Sequence, residues 1–156
     1  MKAASPCLSV LFLISLGCGH AQHTQAGPAA APAQAAAPAA PQTFDEQARW
    51  GGALYGSHCA GCHGASGEGS QGAPRVVGLA EGALPLAPRP GSHRTAEFVS
   101  VADVAGFVVA TMPPKAPGSL SAEEYWAILA FDLSANGLHL EQKLTPELAA
   151  TLTIPR

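Results

Sequence analysis

Cys59-Ala60-Gly61-Cys62-His63 is the stretch that decides how this 156-residue chain is built. It follows an apolar pattern at helical spacing, which predicts a helix from about residue 44 to about residue 58. On a continuing helix, the two cysteines and the histidine lie at positions i, i+3 and i+4 and project from one face. Two thiols and one imidazole therefore point at a single shared partner.

A haem is the partner that this geometry fits. Its two vinyl groups lie on one edge of the porphyrin, where two thiols can form thioethers while an imidazole reaches the iron at the centre. The spacing of the pentapeptide is the signature of covalent haem attachment. The sequence therefore predicts one covalently bound haem c, with Cys59 and Cys62 as attachment points and His63 as a ligand of the iron.

Three other uses of paired cysteines fit the sequence less well. A structural zinc site would need two further ligands at a suitable spacing, and beyond the first twenty residues the chain has no other cysteine. A thioredoxin-like redox pair would lie in a βαβ unit, which the sequence does not predict. A disulfide across only two intervening residues is strained.

Helix signals elsewhere predict a small all-α domain with long loops. Capping-box patterns precede three predicted helices, which span about residues 43–58, 100–110 and 121–136. The pairs are Thr43 with Glu46, Ser100 with Asp103, and Ser121 with Glu124. Glycine and proline are frequent over residues 64–94, which predicts loops. A core of about a hundred residues is marginal by itself, so a bound group should fill the interior.

The first 21 residues have the features of a signal peptide. Lys2 is followed by an apolar run from Leu8 to Leu16, which rises only about 14 Å as a helix and is too short to span a bilayer. Two cleavage sites stay open. Cleavage after Ala21 would release a soluble protein, whereas Leu16-Gly17-Cys18 resembles a bacterial lipoprotein signal in which Cys18 is lipidated.

Residues 22–42 contain alanine, proline and glutamine without a large apolar side chain, so they cannot bury enough surface to fold. They are predicted to be a disordered Ala/Pro-rich tether that reaches up to roughly 65 Å. The same composition also suits a free tail. The formal net charge of −3 gives no basic field that would attract nucleic acid.

Over about residues 44–137 the chain resembles the class I c-type cytochromes of bacteria. The matching segments are Gly52-Ala53-Leu54-Tyr55, His63-Gly64, Gly67-Glu68-Gly69, Gly72-Ala73-Pro74, Thr111-Met112-Pro113-Pro114 and residues 120–126. The resemblance implies a small, loop-rich cytochrome c fold with three main helices wrapped around one covalently bound haem. That domain would occupy residues 43–137, followed by a C-terminal extension over residues 138–156.

The same resemblance implies roles for residues outside the pentapeptide. The main-chain carbonyl of Pro74 would accept the Nδ1 proton of His63 and orient the ring. The first and last helices would cross where four residues have a packing role, namely Gly52, Tyr55, Tyr125 and Trp126. Arg75 has two open roles, as a partner of a haem propionate or as a solvated surface residue.

Met112 is the predicted second ligand of the iron. The chain has two methionines, and Met1 would leave with the signal peptide. Met112 follows the second predicted helix and precedes Pro113-Pro114, which end the helix and stiffen the loop. It also occupies the Met-Pro position of the family. The rival ligands are His58, His93 and His139.

These features predict an electron carrier rather than an enzyme. The expected partners are redox proteins, such as a membrane oxidoreductase or a terminal oxidase, in the periplasm or at the periplasmic face of a membrane. Neither a small-molecule substrate nor nucleic acid is expected. Two alternatives stay open: a haem subunit of a larger membrane oxidoreductase, and a gas-binding haem protein with an open sixth site. Residues 138–156 could be a packed segment or a docking tail.

Overall fold

The computed structural model describes residues 39–81, 83, 88, 94 and 97–155. The predicted signal peptide with Cys18, residues 22–38 of the predicted tether, and His93 lie outside them. In chain order the helices are α1 (Phe44–His58), α2 (Ala60–His63), a 3-10 turn (Leu79–Glu81), α3 (Val101–Thr111), α4 (Ala122–Ala135) and α5 (Pro146–Thr151). The described ranges contain no strand, only an isolated β-bridge between Ser100 and Thr153. The all-α prediction is confirmed. Among these helices, none is long and apolar enough to cross a bilayer.

The three long helices begin at complete capping boxes, because the sequence supplies both partners of each box. At each N-cap the hydroxyl accepts a hydrogen bond from the backbone N–H three residues on, and the acidic side chain accepts one from the N-cap N–H. Backbone hydrogen bonds to these carboxylates hold the pKa values of Glu46, Asp103 and Glu124 below their ordinary values. The predicted helix starts therefore agree closely with the observed ones.

Helices α1 and α4 pack against each other and form the frame of the domain. The backbones approach most closely at Gly51, where an added Cβ would overlap the carbonyl group of Ala127. Gly52, the glycine expected at this crossing, faces the ring of Phe131, with 3.2 Å between an added Cβ and the nearest ring atom. The same ring packs on Tyr55, with 5.0 Å between the ring centroids. The point of closest approach is thus one residue earlier than expected, at i−4 from Tyr55 on one helix face.

Residues 138–155 pack into the same core as the long helices. Leu144 and Ile154 are only 1% and 4% exposed and belong to one apolar cluster with Phe44. Gln47 is fully buried in α1, and its side chain accepts the N–H of Leu144 at 2.8 Å and donates to the Leu144 carbonyl at 3.1 Å. Burial of this amide is tolerated because its polar atoms are paired. The C-terminal residues are therefore a packed segment of the domain.

Candidate haem-binding site

The end of α1 and the short helix α2 carry the predicted attachment residues. Cys59 is the C-cap of α1 and the N-cap of α2, and Cys62 and His63 lie within α2. The backbone N–H groups of Cys62 and His63 donate to the Cys59 carbonyl at 3.1 and 3.0 Å. Both thiols are free; Cys59 is half-buried and Cys62 is exposed. One helical turn therefore carries both thiols and the imidazole.

The surroundings of Cys59 do not suit a reactive thiol. Burial, with smaller contributions from the charges of Asp132 and Cys62, raises the pKa of the Cys59 thiol to about 11. Redox-active and nucleophilic cysteines need a lowered pKa, because the thiolate is the reacting form. Cys59 therefore lacks the lowered pKa of a redox-active cysteine.

The imidazole of His63 is oriented by Pro74. Its Nδ1 lies 2.7 Å from the carbonyl oxygen of Pro74. Because a carbonyl can only accept, Nδ1 is the donor, and in the neutral ring the lone pair is then on Nε2. A backbone carbonyl on one ring nitrogen is typical of histidines that bind a metal through the other. The contact is the one that the family resemblance implies, and its role towards iron stays a prediction.

The loop after α2 folds back on the haem motif through backbone hydrogen bonds. The N–H of Gly69 donates to the carbonyl of His63 at 2.6 Å, and the N–H of Val76 donates to the carbonyl of Gly67 at 2.8 Å. Gly69 has a φ of 83°, and an added Cβ would lie 2.7 Å from the backbone nitrogen of Arg75. Only glycine permits this conformation and this close approach.

Arg75 is turned towards its own loop. Its Nη1 donates to the carbonyl of Val77 at 3.1 Å, and the residue is half-buried. Its charge contributes to the lowered pKa of Glu68, although backbone hydrogen bonds at Glu68 and Ser66 have the larger effect. The bond to Val77 uses one of the five N–H donors of the guanidinium, so the propionate role stays a prediction.

Met112 ends α3. It is the C-cap of that helix, with extended backbone angles (φ −120°, ψ 146°), and the Met112–Pro113 peptide is cis. The helix cannot continue because Pro113 and Pro114 lack the N–H that the next turn would need. The side chain of Met112 is half-buried, and its carbonyl accepts a hydrogen bond from the hydroxyl of Tyr125 at 2.7 Å.

Two tyrosines tie the candidate ligand segments to the α1–α4 frame. Tyr55 of α1 donates to the carbonyl of Gly64, next to His63, at 2.9 Å, while Tyr125 of α4 donates to Met112. Burial, with smaller effects of nearby negative charges, raises the pKa of Tyr55 to about 12, so its hydroxyl stays a donor. The family resemblance implied packing alone for these residues. The sequence does contain a signal for these bonds: each tyrosine places a hydroxyl on an otherwise apolar helix face, and a buried Tyr hydroxyl usually has a hydrogen-bond partner.

Two of the rival histidines, His58 and His139, have other contacts in the structure. His139 lies edge-on to Phe44, with 6.4 Å between the ring centroids. Phe44 begins α1 and Cys59 follows its end, and the 15 residues of that helix span about 22 Å. His58 is exposed, and its charge helps to lower the pKa of Glu124 at the start of α4, after hydrogen bonds from Ser121. The choice of Met112 over these histidines as the second ligand stays a prediction.

The donor set suits a covalently bound haem. The two free thiols lie three residues apart on one helical turn, and the hydrogen bond at Nδ1 leaves Nε2 of the adjacent imidazole as the nitrogen that would bind the iron. Histidine and methionine are the axial ligands that cytochromes c use. In the part of the chain that the structure describes, no group of three or more His, Cys, Asp or Glu side chains could hold a metal ion.

Comparison with known proteins gives the family. The family model described as "Cytochrome C oxidase, cbb3-type, subunit III" matches residues 46–131, which is more than half of the chain and a range that includes Cys59, Cys62, His63 and Met112. The chain belongs to this family. It is therefore a c-type cytochrome, an electron carrier with a covalently bound haem c and its iron in an all-α cytochrome c fold.

One solved structure gives a second comparison. The cytochrome is similar to a chain in the crystal structure of the sulfane dehydrogenase SoxCD from Paracoccus pantotrophus, with 27% sequence identity and a TM-score of 0.50. The alignment covers 69% of this chain and 53% of that chain, so the cytochrome spans about half the length of the matched chain. None of the curated proteins matches the sequence.

Proposed function

We propose that the cytochrome transfers single electrons between exported or membrane-bound redox proteins through a haem ligated by His63 and Met112. The observation that carries the proposal is the pair of tyrosine hydrogen bonds. Tyr55 holds the backbone beside His63 at 2.9 Å, and Tyr125 holds the backbone of Met112 at 2.7 Å. The two tyrosines belong to α1 and α4, whose backbones pack closely at Gly51. Ligands mounted on one rigid frame need little rearrangement when the charge on the iron changes, which favours fast electron transfer.

Different residues of the chain would attach the haem, orient its histidine ligand and complete the coordination of the iron. The haem supplies a one-electron iron couple. Cys59 and Cys62 fix one edge of the porphyrin, and Pro74 keeps the His63 ring in the orientation that directs Nε2 away from its own loop. Met112 would supply the second ligand of the iron, which would keep oxygen and carbon monoxide from binding. A thioether ligand also favours ferrous iron, so the reduction potential is raised.

Replacement of Met112 by alanine tests this ligation. The wild-type ferric protein should have the weak far-red charge-transfer band of sulfur bound to iron, and the ferrous protein should resist carbon monoxide. Met112→Ala should abolish the band, admit carbon monoxide and lower the potential. Val109→Ala, on the exposed surface of the same helix, is the matched control and should change none of these. A wild-type ferrous protein that binds carbon monoxide at once would favour the gas-binding alternative.

We propose an exported location, with residues 22–42 as a tether from an anchor at Cys18. Composition and the lipoprotein-like Leu16-Gly17-Cys18 support it. Cys18→Ser should move the protein from the membrane fraction to the soluble periplasmic fraction or block its processing. Cys7→Ser is the control, because Cys7 precedes the apolar run. A mature N-terminus at Gln22 in a soluble extract would contradict lipidation.

A second candidate function is that of a haem subunit in a larger oxidoreductase. It is supported by the family description, which names an oxidase subunit, and by the likeness to a chain of a sulfane dehydrogenase. Purification from native membranes under mild detergent separates the two candidates. A complex that retains the cytochrome at constant stoichiometry would favour the subunit, whereas a monomer that exchanges electrons with several acceptors would favour the free carrier.

A further inference from the structure

The side chain of Asn136, at the C-cap of α4, bonds to the loop that follows Pro74. Its Oδ1 accepts the N–H of Gly78 at 2.8 Å, and its Nδ2 donates to the carbonyl of Val76 at 2.9 Å. Nδ2 also donates to the carbonyl of Asp132, one turn earlier in α4, at 2.8 Å. The amide therefore uses its acceptor and both of its N–H groups.

These bonds fix one end of a short segment whose other end orients His63. Val76 lies two residues after Pro74, whose carbonyl is 2.7 Å from Nδ1 of His63. The N–H of Val76 is bonded to Gly67 and its carbonyl to Asn136. The segment therefore cannot shift away from α4 without moving the Pro74 carbonyl.

We propose that Asn136 is a positioning residue for the His63 imidazole, because it holds the Pro74 carbonyl against Nδ1 and so tunes how strongly His63 binds the iron. The inference rests on iron ligation by His63, which belongs to the proposed function. Asn136 lies beyond residues 46–131, the range that the family model matches. In the sequence, asparagine followed by glycine is typical of a helix end and gives no indication of this contact.

The direction of the effect follows from the hydrogen bond. A firm bond from Nδ1–H to a carbonyl makes the imidazole more basic, and a more basic ligand stabilises ferric iron more than ferrous iron. Asn136→Ala removes both bonds to the loop and lets the Pro74 carbonyl move. The reduction potential should therefore rise. We expect at least about threefold more ferrous protein at a fixed applied potential, which is about 28 mV at 59 mV per tenfold.

Two measurements on the intact haem protein test the inference. Redox titration gives the potential, and proton NMR gives the exchange rate of the His63 Nδ1 proton, which should increase at least about tenfold in Asn136→Ala. Ala135→Gly is the matched control, because it weakens the exposed end of the same helix by about 1 kcal/mol. Asn136→Ser, which keeps a polar but too short side chain, replaces the alanine variant if that variant does not fold.

The outcomes separate this inference from the proposed function. If His63 binds the iron, its Nδ1 proton has a large paramagnetic shift in the ferric wild type; a ring without that shift would defeat the ligation proposal and the inference together. A shifted wild-type signal with an unchanged potential and exchange rate in Asn136→Ala, or in Asn136→Ser, would overturn the role of Asn136 alone. The same changes in Ala135→Gly would overturn it as well, since they would come from helix fraying.

Discussion

The two segments that carry the candidate ligands are held in different ways. His63 lies in a helical turn beside both thiols, with its ring on the Pro74 carbonyl and its own carbonyl bonded to Gly69. Met112 begins a loop with two short backbone turns, from Ala116 to Pro113 and from Ser119 to Ala116. The hydroxyl of Tyr125 joins this loop to the frame through its hydrogen bond to the Met112 carbonyl.

This difference indicates where the site can open. On the histidine side, several bonds must break together and the haem would still be held by two thioethers. On the methionine side, the described residues show one side-chain hydrogen bond to the loop, with a net value of about 1 kcal/mol, so little besides the proposed sulfur–iron bond holds Met112 in place. Local openings come from the parts of a fold with few such bonds. We therefore expect changes in ligation to start at Met112, while His63 keeps its place.

The largest expected difference between variants of the histidine segment and of the methionine segment is the loss of haem. Cys59→Ser together with Cys62→Ser should leave no haem on the polypeptide after denaturation and acid extraction, because no thioether can form. Met112→Ala should keep the full haem stain, since both thioethers remain. Haem staining of denaturing gels measures both. Stain that persists in the double variant, or haem that extracts freely from the wild type, would contradict covalent attachment.

A second prediction concerns the helix crossing that supports both sides. Gly51→Ala places a methyl group on the Ala127 carbonyl, so it should destabilise the fold by more than about 3 kcal/mol. Gly56→Ala is the control in the same helix, because an added Cβ there has nothing within 4 Å. The control should gain about 0.5–1 kcal/mol from helix propensity. Denaturant unfolding measures both, and equal midpoints would mean that α1 and α4 do not cross at Gly51.

The parts of the fold that the sequence predicts are those set by local signals. The three capping boxes are complete within four residues each, and the haem pentapeptide needs only one helical turn. The glycine of the crossing was expected at Gly52 rather than Gly51. A shift of one position rotates a side chain by about 100° on a helix, and adjacent glycines leave the facing residue undetermined.

Contacts between distant residues could not be predicted in the same way. Gln47 meets Leu144 across 97 positions, and Asn136 meets Gly78 across 58. A partial signal exists for Gln47, a polar residue on the apolar stripe of Phe44, Ala48 and Gly51. The contact of Asn136 with the loop gives no signal in the sequence, because asparagine before glycine is already explained by the end of a helix. The hydroxyl partners of Tyr55 and Tyr125 depend on loop paths that no periodic pattern specifies.

A third prediction concerns Asp132 of α4, a half-buried acid whose Oδ1 atom has no access to solvent. Burial raises the pKa of Asp132 from 3.8 to about 8, and its Oδ1 is buried without a hydrogen-bond partner among the described residues. The native state therefore keeps a proton that the unfolded chain loses above pH 4. The contribution of Asp132 to stability is therefore greatest below the unfolded pKa and declines as the pH rises towards 8.

Asp132→Asn should remove this dependence, because asparagine has a similar shape and does not ionise. The difference in unfolding free energy between Asp132→Asn and the wild type should increase in favour of the variant by on the order of 2 kcal/mol between pH 5 and pH 8. Thermal melts at the two pH values measure it. Asp45→Asn, at an exposed position in α1, is the control and should behave like the wild type at both. Parallel curves for Asp132→Asn and the wild type would contradict a protonated native carboxyl.

The smallest expected effect compares the two tyrosine bonds directly. Tyr125→Phe removes the bond to Met112 and should lower the free energy needed to displace Met112 from the iron by about 1 kcal/mol. The ferrous protein should then react about fivefold faster with carbon monoxide. Tyr55→Phe removes the bond to Gly64, but the thioethers and the Pro74 contact still hold the histidine side, so its rate should stay within about twofold of the wild type. Flash photolysis or stopped-flow mixing with carbon monoxide measures both variants. Each loses one hydroxyl from the same helix pair, so general loosening of the frame would accelerate them equally. Equal acceleration would show that the frame as a whole governs the sixth position, whereas a selective effect of Tyr125→Phe places that control at the methionine loop.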